Sequence, residues 1–297
     1  MILVVGEILY DLFSDYKRLG GAPFNFAFHL KNLGFPVRFI SRIGNDADGK
    51  DILKKIERFG FNPGDIQIDP VHPTGSVRVR LDENGVPDFE ITHDVAYDYI
   101  EFVQEVYAPL IHTSELIYFG SLVQRSELGF SNIQAILSHK PPSARCFYDI
   151  NLRRSCYNDI IIQTSLSQTD ILKINEEERD KVKRILNYNK DSKTFMQYLM
   201  DTYALEVISL TKGDHGSEIY TREGQFSIKT TKVDKVIDSV GAGDAYAAML
   251  AAGILRQWPP DIIVKRASLF ALQICKIEGA IPESVSFYEP FTNIIDF

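Results

Sequence analysis

The sequence has few cysteines and no excess of basic residues, and each shortage excludes a class of protein. Three cysteines in 297 residues form no CxxC pair, so they indicate neither a disulfide framework nor a zinc site and are typical of reduced thiols in the cytoplasm. The formal net charge of −8 argues against a nucleic-acid partner, because such binding depends on Lys and Arg neutralising phosphates. A nucleotide ligand stays compatible with this charge, because one site can differ in sign from the whole surface.

Long apolar runs are also absent. No run approaches the roughly 20 apolar residues that a membrane-spanning helix needs. The apolar stretch that opens the chain is too short for a signal peptide, and no basic residues precede it. The sequence therefore predicts a cytoplasmic protein with no membrane partner.

What the sequence does contain is a regular alternation of strand-like and helix-like patterns. Short apolar runs predict β-strands at residues 2–5, 37–43, 116–119, 144–149, 171–174 and 206–211. Helical patterns lie between them, such as 23–33 and 49–59, with apolar residues on one side. This alternation predicts an α/β fold with a mainly parallel sheet covered by helices.

One stretch breaks the alternation. From Val77 to Leu81 every second residue is apolar, and Asn84-Gly85 supplies a hairpin turn signal. Together with residues 10–19, this hairpin predicts a small antiparallel sheet that stands off the main body. The pattern alone does not choose between a lid over a ligand and a hairpin packed on the core.

The strongest candidate for chemistry is the segment Asp-Ser-Val-Gly-Ala-Gly-Asp at residues 238–244, which leads into a helical pattern at 245–255. Glycines let backbone N–H groups turn toward a ligand, and a helix N-terminus adds positive potential. Together they form a site suited to phosphate, where the Asp244 carboxylate could take the proton of an attacking hydroxyl. An ordinary helix entry with Asp244 as N-cap explains the same residues.

This segment resembles the C-terminal signature of the ribokinase-like (PfkB) carbohydrate kinase family, with Ser239 where that signature usually has Thr. A second signature appears in Gly-Gly-Ala-Pro-Phe-Asn at residues 20–25, and it is similar to the fructokinase branch. Two signatures far apart in the chain, in the family's order, are more specific than either alone.

Further segments extend the resemblance over almost the whole chain. They are residues 6–11, 42–49, 149–153, 175–178, 211–216 and 279–280. The resemblance implies a single ribokinase-like domain over residues 1–297, built as three α/β/α layers around a mainly parallel sheet. It also implies a small antiparallel β lid formed by about 10–19 and 73–99.

The resemblance implies roles for individual residues as well. The expected catalytic residues are the base Asp244 and the charge-stabilising Gly241, Ala242 and Gly243. The expected sugar contacts are Asp11, Gly21, Asn25 and Arg153. The expected nucleotide contacts are Asn175, Thr211, Gly213 and Gly216, together with Gly241 and Gly243. The expected cations are Mg²⁺ near Asn175 and Glu178, held partly through water, and K⁺ near Asp238 and Val240.

Asn175 and Glu178 can also be interpreted without the family. They are three residues apart, so they lie on one face if a helix begins there. Mg²⁺ prefers oxygen ligands and keeps several waters, which suits one Asn and one Glu. A capping pattern at a helix start explains the same spacing, and both interpretations can hold at once.

The implied function is ATP-dependent phosphorylation of a hydroxyl on a small sugar, with ATP and the sugar as partners. Fructose is the first expectation, because of segments 6–11 and 20–25. The alternatives 2-keto-3-deoxygluconate, ribose, another ketose and a nucleoside stay open, because residues 92–99 at the end of the expected lid depart from the fructokinase pattern. A non-catalytic sugar or nucleotide sensor is a distant alternative. By analogy with the family, the lid sheet is expected to pair with its copy in a homodimer.

Overall fold

A nine-stranded sheet forms the centre of the computed structural model, which describes residues 1–81, 87–229 and 236–295. The strands of the chain are β1 (Ile2–Val5), β2 (Leu9–Leu12), β3 (Lys17–Gly20), β4 (Val37–Gly44), β5 (Ile66–Asp69), β6 (Ser76–Leu81), β7 (Pro87–Ile91), β8 (Leu116–Gly120), β9 (Arg145–Asp149), β10 (Ile171–Asn175), β11 (Val207–Thr211), β12 (Ser217–Thr221) and β13 (Gly224–Ile228). The central sheet has the order β13-β12-β11-β10-β9-β8-β1-β4-β5.

The central sheet is mainly parallel, as the sequence predicts. Neighbouring strands are parallel from β5 to β11, and β12 and β13 continue the sheet in antiparallel pairing. The six strands predicted from apolar runs all form, each with bounds within one residue of the prediction. The sequence patterns did not predict β5, β12 or β13.

The helices of the described chain cover both faces of this sheet. They are α1 (Ala22–Asn32), α2 (Ala47–Arg58), α3 (Gln104–His112), α4 (Glu127–Ser138), α5 (Asp159–Ser167), α6 (Glu176–Ile185), α7 (Ser192–Thr202), α8 (Ala242–Leu255), α9 (Pro260–Ile274) and α10 (Glu289–Ile295). The helices predicted at 23–33 and 49–59 correspond to α1 and α2. Across the described ranges, no helix is both long and apolar enough to cross a membrane.

Strand β1 shows why the fold has three layers. Its side chains alternate between the two faces of the sheet. Ile2 and Val4 lie in a core with helices α1, α2, α8 and α9, whereas Leu3 and Val5 lie in a second core with α3 to α7. A strand that is apolar at every position needs cover on both faces, so the sheet lies between two helical layers.

The predicted small sheet is also present, in the order β3-β2-β6-β7. The β2–β3 and β6–β7 pairs are antiparallel, whereas β2 and β6 are parallel, with Asp11 opposite Val77. Strand β2 follows β1 in the chain, and β6 follows β5. Strands β1 and β5 run in the same direction in the central sheet. Both hairpins therefore leave the same edge of that sheet in the same direction. The turn predicted at Asn84-Gly85 lies outside the described residues.

The end of the expected lid belongs to the main body. Val95, Ala96 and Tyr97 have no exposed surface. Arg125 fixes this segment, because its guanidinium donates to both carboxylate oxygens of Asp98 at 2.7 Å. The small sheet itself ends at Ile91, so residues 92–99 connect the lid to the core.

Candidate active site

A cavity of about 440 Å³ opens between the small sheet and the carboxyl ends of the parallel strands. Its walls come from β2, β6 and β7, from the first turns of α1 and α8, and from the ends of β10 and β11. The predicted site residues that line it are Asp11, Gly21, Asn25, Arg153, Asn175, Glu178, Thr211, Asp238, Val240, Gly241, Gly243 and Asp244. Segments that are distant in the sequence therefore share one cavity.

Asp244 lies in the first turn of α8, which begins three residues before the predicted start of this helix. Gly241 is the N-cap, so the carboxylate of Asp244 is not used for capping. Burial raises the pKa of Asp244 to about 6, although a hydrogen bond from Asn25 partly opposes this. The Nδ2 group of Asn25 donates to Oδ2 of Asp244 at 2.8 Å. The carboxyl group is thus held in one orientation at the cavity wall.

The start of α8 also presents backbone N–H groups to the cavity. The first N–H groups of a helix have no acceptor within it. Gly241 has φ +76°, and a Cβ there would lie 2.3 Å from Cβ of Ala280. Only glycine can take this left-handed conformation against Ala280 without strain and collision. The turn therefore places uncompensated N–H groups and the positive end of the helix beside Asp244, an arrangement that attracts anions.

The same cavity also contains the residues predicted to bind the sugar. Asp11 lies on β2, and burial raises its pKa to about 6, opposed by the positive charges of Arg153 and Arg18. Gly21 is the N-cap of α1 and accepts a hydrogen bond from the backbone N–H of Asn25 at 2.9 Å. Arg153 lines the same cavity from the loop after β9. Hydrogen-bond donors and acceptors for hydroxyl groups thus share one cavity.

Asn175 and Glu178 form the capping box that their spacing predicts. The side chain of Asn175 accepts from the N–H of Glu178 at 2.8 Å, and Oε2 of Glu178 accepts from the N–H of Asn175 at 2.9 Å. Its Oε1 accepts from the N–H of Leu152 at 2.9 Å. Each carboxylate oxygen keeps a further lone pair. Thr211 lies beside Asn175 in the parallel register of β10 and β11.

These donors fit Mg²⁺ that is held mainly by phosphates and water. In the described part of the chain, no cluster of three or more His, Cys, Asp or Glu side chains could hold a metal ion. Mg²⁺ commonly keeps several waters and takes only one or two protein ligands beside substrate phosphates. Asn175 and Glu178 supply oxygens of that kind.

The carboxylate of Asp238, near which K⁺ is expected, accepts a hydrogen bond at each of its oxygens. Its Oδ1 accepts from the N–H of Val240 at 3.0 Å, and its Oδ2 accepts from the N–H of Gly279 at 3.0 Å. The Arg18 guanidinium from β3 lies 3.4 Å from the same Oδ2 and donates to Glu278 at 2.8 Å. A guanidinium therefore lies beside this carboxylate, and K⁺ near Asp238 and Val240 stays a prediction.

Three predicted residues do not line the cavity. Ala242 lies in the first turn of α8, where its N–H donates to the carbonyl of Ser239 at 3.3 Å. Gly213 and Gly216 shape the turn between β11 and β12, next to the cavity residue Thr211. Their contact with the nucleotide stays a prediction.

Comparison with known protein families identifies the family of this chain. Residues 2–286 match the description "pfkB family carbohydrate kinase". The chain belongs to this family. The family that residues 20–25 and 238–244 indicated is therefore confirmed, and the match extends over nearly the whole length of the chain.

Several pfkB relatives are similar to this chain. Fructokinase-1 of Zea mays is 25% identical over 284 residues, which cover 94% of this chain and 86% of that protein. The 5-dehydro-2-deoxygluconokinase of Clostridium perfringens is 26% identical over 264 residues, which cover 82% of this chain and 73% of that protein. The solved structure of an uncharacterized sugar kinase PH1459 from Pyrococcus horikoshii in complex with ATP has a TM-score of 0.78 at 24% identity and 94% coverage of each chain. The last likeness confirms the three-layer fold.

This pfkB cavity also contains two charged groups that were not predicted. Glu7 follows β1 and is buried, its pKa is raised to about 7 by burial, and its Oε2 has no hydrogen-bond partner in the described chain. Lys173 lies inside the apolar strand β10 and is buried as well. Lys and Glu are almost never fully buried without a partner. A charged residue within or directly after an apolar strand is the sequence signal that identifies both.

Proposed function

We propose that this pfkB protein transfers the γ-phosphoryl group of ATP to a hydroxyl of a small sugar, with Asp244 as the catalytic base. One observation carries the proposal: the Asp244 carboxyl lies in the same helical turn as the N–H groups that can bind a phosphoryl group. A base and an anion site at one point of a cavity are what phosphoryl transfer to an alcohol requires.

The reaction follows from this placement. The sugar oxygen attacks the γ-phosphorus while its proton passes to Asp244, so the new O–P bond forms as the bond to ADP breaks. The N–H groups at the start of α8 stabilise the negative charge on the transferred group. A pKa near 6 leaves Asp244 ionised at neutral pH, yet makes it a stronger base than an exposed Asp.

The other cavity residues orient the reactants. Asp11 and the backbone at Gly21 are proposed to bind sugar hydroxyls. Asn25 donates to Asp244, so its proposed role is to orient the base. Asn175 and Glu178 are proposed to hold Mg²⁺ partly through water, where the ion would neutralise charge on the ATP phosphates.

Fructose is the first candidate for the acceptor. The signature at residues 20–25 and the maize fructokinase relative support it. A specific observation favours 5-dehydro-2-deoxygluconate as the second candidate: Arg153 lines the cavity, and its positive charge lowers the pKa of Asp11 and Asp244 there. Arg pairs well with a carboxylate. The clostridial kinase is as similar to this chain as the fructokinase is.

A coupled assay of ADP release tests the proposal. The protein is given ATP, Mg²⁺ and, separately, fructose, 5-dehydro-2-deoxygluconate, 2-keto-3-deoxygluconate, ribose and adenosine. Turnover on fructose supports the first candidate, and turnover on an acid that falls in Arg153→Gln supports the second. Nucleotide binding without turnover on any acceptor contradicts the kinase and favours a sensor.

We also propose action in the cytoplasm as a homodimer that pairs through the small sheet. The three cysteines are free, which suits a reducing compartment. Strands β3 and β7 are the outer strands of the small sheet in the described chain, and such edges are natural pairing surfaces. Sedimentation equilibrium tests the dimer, and a monomer mass at micromolar concentration contradicts it.

A further inference from the structure

Lys173 is a buried ammonium group in the middle of a central strand. It lies directly opposite Asp149 in the parallel register of β10 and β9. Its Nζ donates to both carboxylate oxygens of Asp149, at 3.0 and 3.2 Å. Tyr118 donates a further hydrogen bond to the same carboxylate at 3.2 Å. The carboxylate of Asp149 is therefore fixed in place, and it in turn fixes the ammonium group of Lys173.

The ammonium group lies directly beneath the anion site. A Cβ added to Gly243 would be 3.3 Å from Nζ of Lys173. A side chain at Gly243 would therefore crowd this ammonium group, which lies close to the first turn of α8. Lys173 also lines the cavity together with Asp244 and Glu178.

Lys173 keeps its charge and has a donor left over. Burial lowers its pKa, but the charges of Asp149, Glu178 and Asp244 raise it above the ordinary value. An ammonium group has three donors, and in the described chain only Asp149 accepts from this one. One N–H is therefore available to a group that enters the cavity.

Stability alone is a weak explanation for this pair. Burying two charges costs desolvation energy that their attraction often fails to recover, and apolar replacements of buried ion pairs are often neutral or stabilising. In addition, a purely structural pair has no need to lie under a glycine at a phosphate site. The position of Nζ therefore needs a functional reason.

We propose that Lys173 is a further catalytic residue, whose ammonium group donates a charge-assisted hydrogen bond to an oxygen of the phosphoryl group during transfer. This role rests on the proposed kinase function. Asp149 is the positioning residue that orients the ammonium group. No proton moves from Lys173: the proton of the sugar hydroxyl goes to Asp244, the O–P bond to the sugar forms, and ADP leaves with the electron pair of the broken bond.

The first test is Lys173→Met, which keeps the length of the side chain and removes its charge. Loss of one preorganised donor to a developing charge typically lowers kcat about 10²- to 10³-fold. We expect a loss of this size on the acceptor that wild type phosphorylates, with the KM of that acceptor unchanged. The control is Lys181→Met, at a lysine on α6 that pairs with the exposed Glu177, and it should keep the wild-type kcat.

A second variant separates catalysis from folding. Lys173→Met leaves Asp149 buried without its partner, so the double variant Lys173→Met/Asp149→Asn removes both charges. Circular dichroism and thermal unfolding check that it folds. The proposal expects the double variant to be as slow as Lys173→Met. Recovery of the wild-type kcat in the double variant overturns the proposal, because the loss would then come from the unpaired carboxylate.

The pH profile separates a phosphoryl contact from an effect on the base. If Lys173 only kept Asp244 ionised, kcat of Lys173→Met would recover at alkaline pH, and that result overturns the proposal. A phosphoryl contact predicts a lowered kcat at every pH.

Binding measurements keep the inference testable if the kinase function itself fails. Should wild type turn over none of the acceptors, calorimetry with Mg²⁺ and either AMP-PNP or ADP compares the two proteins. A phosphoryl contact predicts that Lys173→Met weakens AMP-PNP binding more than ADP binding. Equal weakening, or none, overturns it.

Discussion

At the scale of single residues, the cavity concentrates carboxyl groups whose pKa values are raised. The pKa is about 6 for Asp11 and Asp244 and about 7 for Glu7, in each case mainly because of burial. Arg153 lowers all three pKa values by its positive charge. Groups with such shifts in one cavity are characteristic of functional sites.

Asp244→Asn tests the base. A positioned base typically contributes about 10²–10⁴-fold to the rate, so kcat should fall by about that factor while ATP affinity is retained. Asn can still accept the hydrogen bond from Asn25, which keeps the local geometry. The measurement is steady-state ADP release beside calorimetric ATP binding. Asp261→Asn, at an exposed acid on α9, is the matched control, and a near-normal rate in Asp244→Asn contradicts the assignment.

Sequence reasoning predicted residues with a family signature better than residues without one. Asp11, Asn25 and Asp244 lie in segments that resemble the family, and all three line the cavity. Lys173 and Glu7 were missed, because no periodicity tells which charged residue a buried strand will tolerate. Their roles depend on partners such as Asp149, which only the folded sheet brings opposite Lys173.

At the scale of elements, the start of α8 depends on close packing against the loop at Gly279-Ala280. Gly241→Ala would add a Cβ 2.3 Å from Cβ of Ala280, at φ +76°. We expect a loss of about 1–3 kcal/mol in the free energy of unfolding from backbone strain, with a further loss from the collision and a large fall in kcat.

Gly34→Ala is the matched control for Gly241→Ala. Gly34 also has a left-handed conformation, φ +89°, but an added Cβ there would meet nothing within 4 Å. This variant should show the backbone strain alone and keep kcat. Urea unfolding and turnover measure both effects, and equal losses in the two variants would contradict the packing argument.

The β2–β3 hairpin is joined to the loop before α8 by Arg18. Its guanidinium reaches Glu278 and Asp238, so Arg18→Gln should loosen the small sheet, the proposed lid, over the proposed phosphate site. Partly exposed ion pairs contribute about 0–1 kcal/mol, which corresponds to a change of at most about fivefold. We expect ADP release without acceptor to rise relative to transfer, because a closed lid excludes water.

Lys17→Gln is the control for the lid prediction. Lys17 lies on the same strand β3 but pairs with Asp48, away from the phosphate loop. Its ratio of hydrolysis to transfer should stay at the wild-type value. If Lys17→Gln and Arg18→Gln change the ratio equally, Arg18 has no specific role in closure.

Element boundaries were predictable where one residue type decides them. The apolar runs predicted β1, β4, β8, β9, β10 and β11, because a strand buried on both faces is mostly apolar. Strands β12 (Ser217–Thr221) and β13 (Gly224–Ile228) are the last two strands at one end of the sheet, and both mix polar with apolar residues. Such strands form through pairing with a neighbour, which a single-sequence pattern does not contain.

At the scale of the whole molecule, the buried carboxyl groups of the cavity make the stability of the fold depend on pH. A carboxyl group whose pKa is raised by folding stabilises the fold while it is protonated. For Glu7 this contribution is complete below its unfolded pKa of about 4.5 and is lost as pH rises through about 7. Above that pH, the folded protein holds a desolvated charge.

Glu7→Gln should therefore stabilise the protein at high pH. Gln is neutral at every pH and has nearly the shape of the protonated acid. We expect a gain on the order of 2–3 kcal/mol in the free energy of unfolding at pH 8 and almost none near pH 4. Urea unfolding at both pH values measures it, with Glu57→Gln on the exposed side of α2 as control. A gain that does not depend on pH contradicts the pKa of Glu7.

The fold class was predictable because it follows from the order of elements, whereas the internal pairing of the small sheet was not. Apolar alternation indicated the β6–β7 hairpin, and residues 10–19 were predicted to join it in a small sheet. The parallel contact between β2 and β6 depends on the direction in which both hairpins leave the central sheet. That direction is a property of the assembled molecule.

This parallel contact has a consequence for protein engineering. The two lid hairpins come from separate parts of the chain, yet β2 and β6 hold them together as one four-stranded sheet. Transplanting only one hairpin from a relative with another sugar preference would leave a mismatched seam in the middle of that sheet. A successful chimera must exchange residues 9–20 and 76–91 together, so the two hairpins have to be transferred as one unit.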